Sequence, residues 1–87
     1  MRAPKGKHGD QLIDGAVLRG VIERGLAVIG ASALRALFHD LEFGGIMLEQ
    51  GKAYSLKDLS RALASLFGAE ATEIMMDRIR RELARQG

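Results

Sequence analysis

The sequence predicts an all-α fold, a single-domain bundle of about four helices built as an intertwined homodimer. Three observations predict it. Apolar residues recur at three- and four-residue spacing along most of the chain, and period-two alternation is nowhere sustained. Glycines and Ser or Asp caps punctuate those runs where helices stop and start. The first run is apolar around its whole circumference, which a lone copy of so short a chain has difficulty covering. At 87 residues, with 47% apolar and 28% charged, the chain suits one domain and is too short for two.

The first helix is expected from an N-cap at Asp10 toward Ile29, with Gly30 as its stop. Leu12, Ile13, Val17, Leu18, Val21, Ile22 and Leu26 leave no polar stripe, because Asp14, Arg19, Glu23 and Arg24 are scattered among them. A second chain is the simplest cover, so Leu12, Ile13, Val17, Val21, Ile22 and Leu26 are the expected dimer interface. The alternative is a break at Gly20 or Gly25 into shorter amphipathic pieces. Ser32 is expected to cap a second helix whose Leu34, Leu37, Phe38 and Leu41 form a core face, ended by Gly44 and Gly45. Residues 46–54 form a connector with Ile46 and Leu48 turned inward and Gly51 at a turn.

Ser55 and Asp58 imitate a capping box at the head of a third helix, with Asp where Glu or Gln is usual. Its apolar face holds Leu56, Leu59, Ala62, Leu63, Leu66 and Phe67, and Gly68 stops it. A fourth helix over residues 69–85 is expected to bury Ala71, Ile74, Met75, Ile79 and Leu83 and to expose Met76.

The net charge of +2 comes from 13 Lys plus Arg against 11 Asp plus Glu, and it is unevenly placed. Arg2, Lys5 and Lys7 make residues 1–9 a basic arm without an acid, expected to be flexible, while residues 10–87 form a nearly neutral helical domain. No run reaches the roughly 20 apolar residues of a membrane span, and no leader is indicated, so a cytoplasmic location is expected. The absence of cysteine excludes disulfides, thiol catalysis and Cys-ligated zinc.

Catalytic groups are scarce. His8 lies in the arm, and His39 with Glu42 stands at a spacing that can share a metal, but no third ligand completes a site. Asp40 is about 100° around the helix from His39 and cannot orient it for a Ser-His-Asp arrangement. The serines suit caps and polar faces, and no glycine-rich loop leads from a strand into a helix to cradle a phosphate. The expectation is therefore no enzyme, no catalytic residue, no metal and no cofactor.

Over residues 30–84, Gly30, Leu41, Glu42, Gly45, Ile46, Phe67, Gly68 and Ala69 follow a pattern similar to the small archaeal output domains named after Nitrosopumilus. The chain departs from that pattern in its connector, GKAYSLKD in place of prolines and acids, and in its glycine-punctuated first helix. The resemblance implies a compact helical domain that acts beside signal-transduction components, with no established catalytic residue.

Three functions remain in competition. The first is a homodimeric, non-enzymatic interaction or output module that meets an unidentified regulatory protein in cytoplasmic signalling. The second is a dimeric DNA-binding protein that uses Arg2, Lys5 and Lys7 with Arg80, Arg81 and Arg85. The third is a ligand- or metal-binding protein with a pocket around His39, Glu42 and Phe43.

Overall fold

In the computed structural model residues 11–86 are described. The basic arm with Arg2, Lys5 and Lys7, together with His8 and the Asp10 cap, lies outside the described residues. The first described element is a short strand β1 (Leu12–Asp14), followed by α1 (Gly15–Gly25) and a 3-10 turn (Ala27–Ile29). Helix α2 (Ala31–Phe43), strand β2 (Ala53–Ser55), α3 (Leu56–Phe67) and α4 (Ala69–Gln86) complete it. The described residues are mostly helical, with four α-helices among them, and α4 packs along both α1 and α3.

Contrary to the strand-free expectation, β1 and β2 pair antiparallel, with Leu12 opposite Ser55, Ile13 opposite Tyr54 and Asp14 opposite Ala53. Gly15 N–H extends the ladder by donating to Lys52 O at 2.8 Å. Three residues are too few to show periodicity, and their partners lie some forty positions away, which hides the pairing from any local pattern.

The ladder also shortens the first helix. Asp14, not Asp10, is its N-cap, and its Oδ2 accepts from Ala16 N–H at 2.9 Å and Val17 N–H at 3.4 Å. Its Oδ1 accepts from Gly51 N–H at 2.6 Å, so one carboxylate starts α1 and ties down the turn before β2. The Gly51 bond is the main reason that this carboxyl is held below its ordinary value of 3.8; partial desolvation opposes it, and the Ala16 and Val17 bonds add to it. A lowered folded value means that the unfolded chain binds the proton more readily. The stabilisation is therefore complete above 3.8 and is lost as pH falls below 3.8 through the folded value. An Asp14→Asn variant should be less stable than wild type at neutral pH and show a flatter acid limb in urea midpoints measured against pH. Parallel limbs for the two proteins would contradict this role.

Helix α1 ends at Gly25 and gives way to the 3-10 turn, which is the broken alternative. Leu18, Val21 and Ile22 then make one buried stripe, while Ala16, Val17, Arg19, Glu23 and Arg24 face outward. The expected dimer interface is corrected accordingly. Ile13, Val21, Ile22 and Leu26 are buried in the chain's own core, and of the six only Leu12 and Val17 are exposed. The α4 helix and the connector with its inward Leu48 complete the core around them, cover that a sequence-level count of helices does not supply.

Ser32 lies within α2, whose N-cap position is Gly30 with no side-chain cap bond. Leu37, Phe38 and Leu41 are buried as expected, with Leu34 packed partly against them, and Arg19 stacks 4.1 Å over the Phe38 ring to join α1 to α2. Ser55 Oγ accepts from Asp58 N–H at 2.9 Å and caps α3 as read from the sequence. Leu56, Leu59 and Leu63 are its buried face, but Leu66 and Phe67 at its end are exposed.

On α4 the sequence expectation misplaced the face. Thr72, Met76 and Ile79 are buried, Met75 and Leu83 pack at the margin, and Ile74 is exposed. Five residues separate Ile74 from Ile79, about 140° around a helix, so both cannot point at one core. The buried Thr72 Oγ1 has no hydrogen-bond partner among the described residues.

Candidate functional site

Two surface features gather exposed or half-exposed side chains. The first is a groove of about 710 Å³ between the C-terminal end of α2, strand β2 and α3. Phe43, Ile46, Tyr54 and Leu66 supply its apolar lining, and Asp40, Asp58 and Arg61 its charge. Phe43 is the last residue of α2, immediately before the double glycine that turns the chain, and it is 84% exposed. The His39 ring meets it edge-on at 5.3 Å between centroids, which braces the aromatic without burying it. Across the groove, Arg61 pairs with Asp58 at 3.4 Å, whereas Asp40 has no ion-pair partner among the described residues.

The sequence-predicted ligand pocket is therefore only partly assembled. Phe43 lines the groove and His39 stands behind it, but neither His39 nor Glu42 is part of the lining. Among the described residues no group of three or more His, Cys, Asp or Glu side chains could hold a metal ion. Asp40, which reads in the sequence as an ordinary exposed acid, is half-buried on the groove wall.

The second feature lies along the seam between α1 and α4. Arg24, Arg78, Arg81 and Arg85 line one small cleft with Glu82 among them. Of the expected nucleic-acid set, Arg81 and Arg85 belong to this cleft, while Arg80 lies on another side of α4, outside its lining. Arg24 and Arg78 were not in that set. The spacing of Arg78, Arg81 and Arg85 at i, i+3 and i+7 is a signal present in the sequence; the approach of Arg24 is not, because it requires the packing of α1 on α4.

The fold and these two features define a small helical protein with one open apolar groove and one arginine-lined cleft. No protein-family model matches the chain, and neither a curated protein nor a solved structure is found to be similar to it. Among the described residues no helix is long and apolar enough to cross a membrane.

Proposed function

We propose that this protein is a non-enzymatic helical interaction module that pairs with a second copy of itself through the Phe43 groove. The observation that carries the reading is the exposure of Phe43 at the lip of a groove that it does not fill. A two-fold interface requires one self-complementary patch on each copy. Here an aromatic knob and an apolar hole lie side by side on the same patch, so each Phe43 can enter the other copy's groove. The rim also carries both signs, Asp40, with no ion-pair partner among the described residues, and the exposed Arg61, which a reciprocal pairing brings together. Large buried aromatics dominate the energetics of such contacts.

This moves the expected homodimer away from α1, whose Leu18, Val21 and Ile22 are consumed by the chain's own core. The likeness of residues 30–84 to the small archaeal output domains adds the setting, a regulatory protein partner in cytoplasmic signalling. The thin supply of catalytic groups agrees with binding as the activity: no cysteine, and in the described residues a single histidine, His39, standing exposed against Phe43.

Light scattering across a concentration series tests the pairing. The wild type should run at twice its 9.4 kDa mass at micromolar concentration. Phe43→Glu, at so exposed a position, should keep the helical circular dichroism of wild type and weaken association about thirtyfold, the effect of losing a hot-spot aromatic of about 2 kcal/mol. A wild type that stays monomeric, or a variant that pairs as tightly as wild type, would remove the groove from the account.

A further inference from the structure

Helix α4 carries Arg78, Arg81, Glu82 and Arg85 at i, i+3, i+4 and i+7, which sets the four side chains along one edge of the helix. That edge borders α1 because of Gly25. A Cβ built there would stand 3.1 Å from the Arg78 carbonyl oxygen, so the missing side chain lets the two backbones approach. The close approach brings Arg24 across to α4, where its Nε donates to Glu82 Oε2 at 3.1 Å. Arg85 reaches the other Glu82 oxygen at 3.8 Å, and Arg78 Nε donates to Gly25 O at 3.0 Å.

The result is a focal concentration of positive charge. Four guanidinium groups line a cleft of about 170 Å³ against the single carboxylate of Glu82, with Asp77 taking Arg81 from the side at 3.1 Å. Glu82, only 13% exposed, acts as a clamp that holds Arg24 and Arg85 together against their mutual repulsion. Arg24 and Arg78 are tethered through Nε, which leaves their terminal NH2 groups as fixed-fork donors.

We propose that this cleft binds a phosphate monoester. Such a group carries close to two negative charges at neutral pH and offers three acceptor oxygens, which suits several converging guanidinium forks. In the same measure a single water needs about 10–15 Å³, so the cleft has room for one tetrahedral oxyanion, with the rest of the molecule that carries it outside. Nucleic-acid backbone fits less well. A duplex presents single charges at regular intervals and is bound through cations spread over a face. Residues 10–87 are nearly neutral overall, and Arg80 stands apart from the cluster. The monoester can come from a phosphorylated side chain of a partner or from a small phosphorylated metabolite; the recognition chemistry is the same.

The test is an NMR titration of the full chain that follows the arginine Nε–H resonances, with phenyl phosphate as the probe. Saturable shifts at Arg24, Arg78 and Arg85 are expected. Arg85→Gln, at a side chain 79% exposed, should weaken binding about tenfold without disturbing the fold. Arg61→Gln, on the groove side, and Phe43→Glu should leave it unchanged, which keeps this result separate from that of the pairing test. A phosphoserine peptide that binds more tightly than free phosphoserine assigns the source to a polypeptide partner, and equal binding assigns it to a small metabolite; either supports the site. Absence of saturable shifts would overturn it, as would an Arg85→Gln variant that binds like wild type. Tighter binding of a roughly 12-base-pair DNA duplex with steep salt dependence would replace it with a diester-backbone site.

Discussion

Replacing Ile22 by Asp should unfold the chain. Ile22 is fully buried on α1, among the Leu, Ile and Met side chains of the core. The substitution removes a buried aliphatic group, worth about 2–5 kcal/mol when it leaves a cavity. It also brings in a carboxyl group that must either stay charged without a partner or take up a proton and remain under-bonded, at a further cost of several kcal/mol. Domains of this size are stable by only about 5–15 kcal/mol. Circular dichroism should show lost helix or a non-cooperative melt at ambient temperature. Were Ile22 part of a dimer interface, as the sequence leads one to expect, Ile22→Asp would instead leave the fold intact and shift association between copies. Val17→Asp is the control on the same helix: its side chain is about half exposed, and a surface change there should stay within about 0.5 kcal/mol. A cooperative Ile22→Asp melt close to that of wild type would mean that α1 is not in the core.

The contrast between Ile22 and Val17 shows how much of the fold was legible. Where a helix buries one face and leaves the other to solvent, spacing sufficed: Leu37, Phe38 and Leu41 on α2, and Leu56, Leu59 and Leu63 on α3, are buried as their periodicity requires. Local chemistry was also legible, since the Ser55 cap and the stop at Gly68 depend on residues no more than four apart. Contacts between distant residues were not. Asp14 caps α1 only because Gly51 and the β1–β2 ladder hold it there, and an acid at position 10 offers the same local signal. The Leu12 and Ile13 pair counted as helix surface because a three-residue strand carries no period of its own. In the groove, Phe43 was legible as a candidate pocket residue, whereas the wall formed by Tyr54, Asp58 and Leu66 comes from tertiary packing. The arginine cleft divides the same way: Arg81 and Arg85 stood in the expected nucleic-acid set, Arg78 on the same helix edge did not, and Arg24 arrives only through the Gly25 contact.

Two glycines of α1 should respond in opposite directions to the same change. Alanine is the better helix former by about 1 kcal/mol and also restricts the unfolded chain, so an unobstructed Gly→Ala change inside a helix stabilises. Gly20 meets that condition. A Cβ there would lie 3.3 Å from the two terminal nitrogens of Arg24, the far end of a half-exposed side chain that can shift by a few tenths of an ångström while its Nε stays on Glu82, so Gly20→Ala should gain about 0.5–1 kcal/mol. Gly15 does not. It is buried where α1 begins, and a Cβ would overlap the Glu49 carbonyl oxygen and stand 2.5 Å from the Leu48 carbonyl carbon and 2.6 Å from Glu49 N. All three are backbone atoms, and that backbone has little freedom to retreat. Leu48 is held at a left-handed φ of 55° with its side chain in the core, and Glu49 N–H is committed to the Tyr54 hydroxyl at 3.0 Å. Relief must come from pushing α1 away from the connector, which strains the Gly15–Lys52 hydrogen bond and the ladder behind it. Gly15→Ala should therefore cost about 3 kcal/mol, the upper part of the range for overpacking. In a domain of this length that lowers the melting temperature by roughly 12–24 °C. Thermal melts of the two variants beside wild type decide the matter: equal shifts of either sign would mean that the connector does not press on the start of α1.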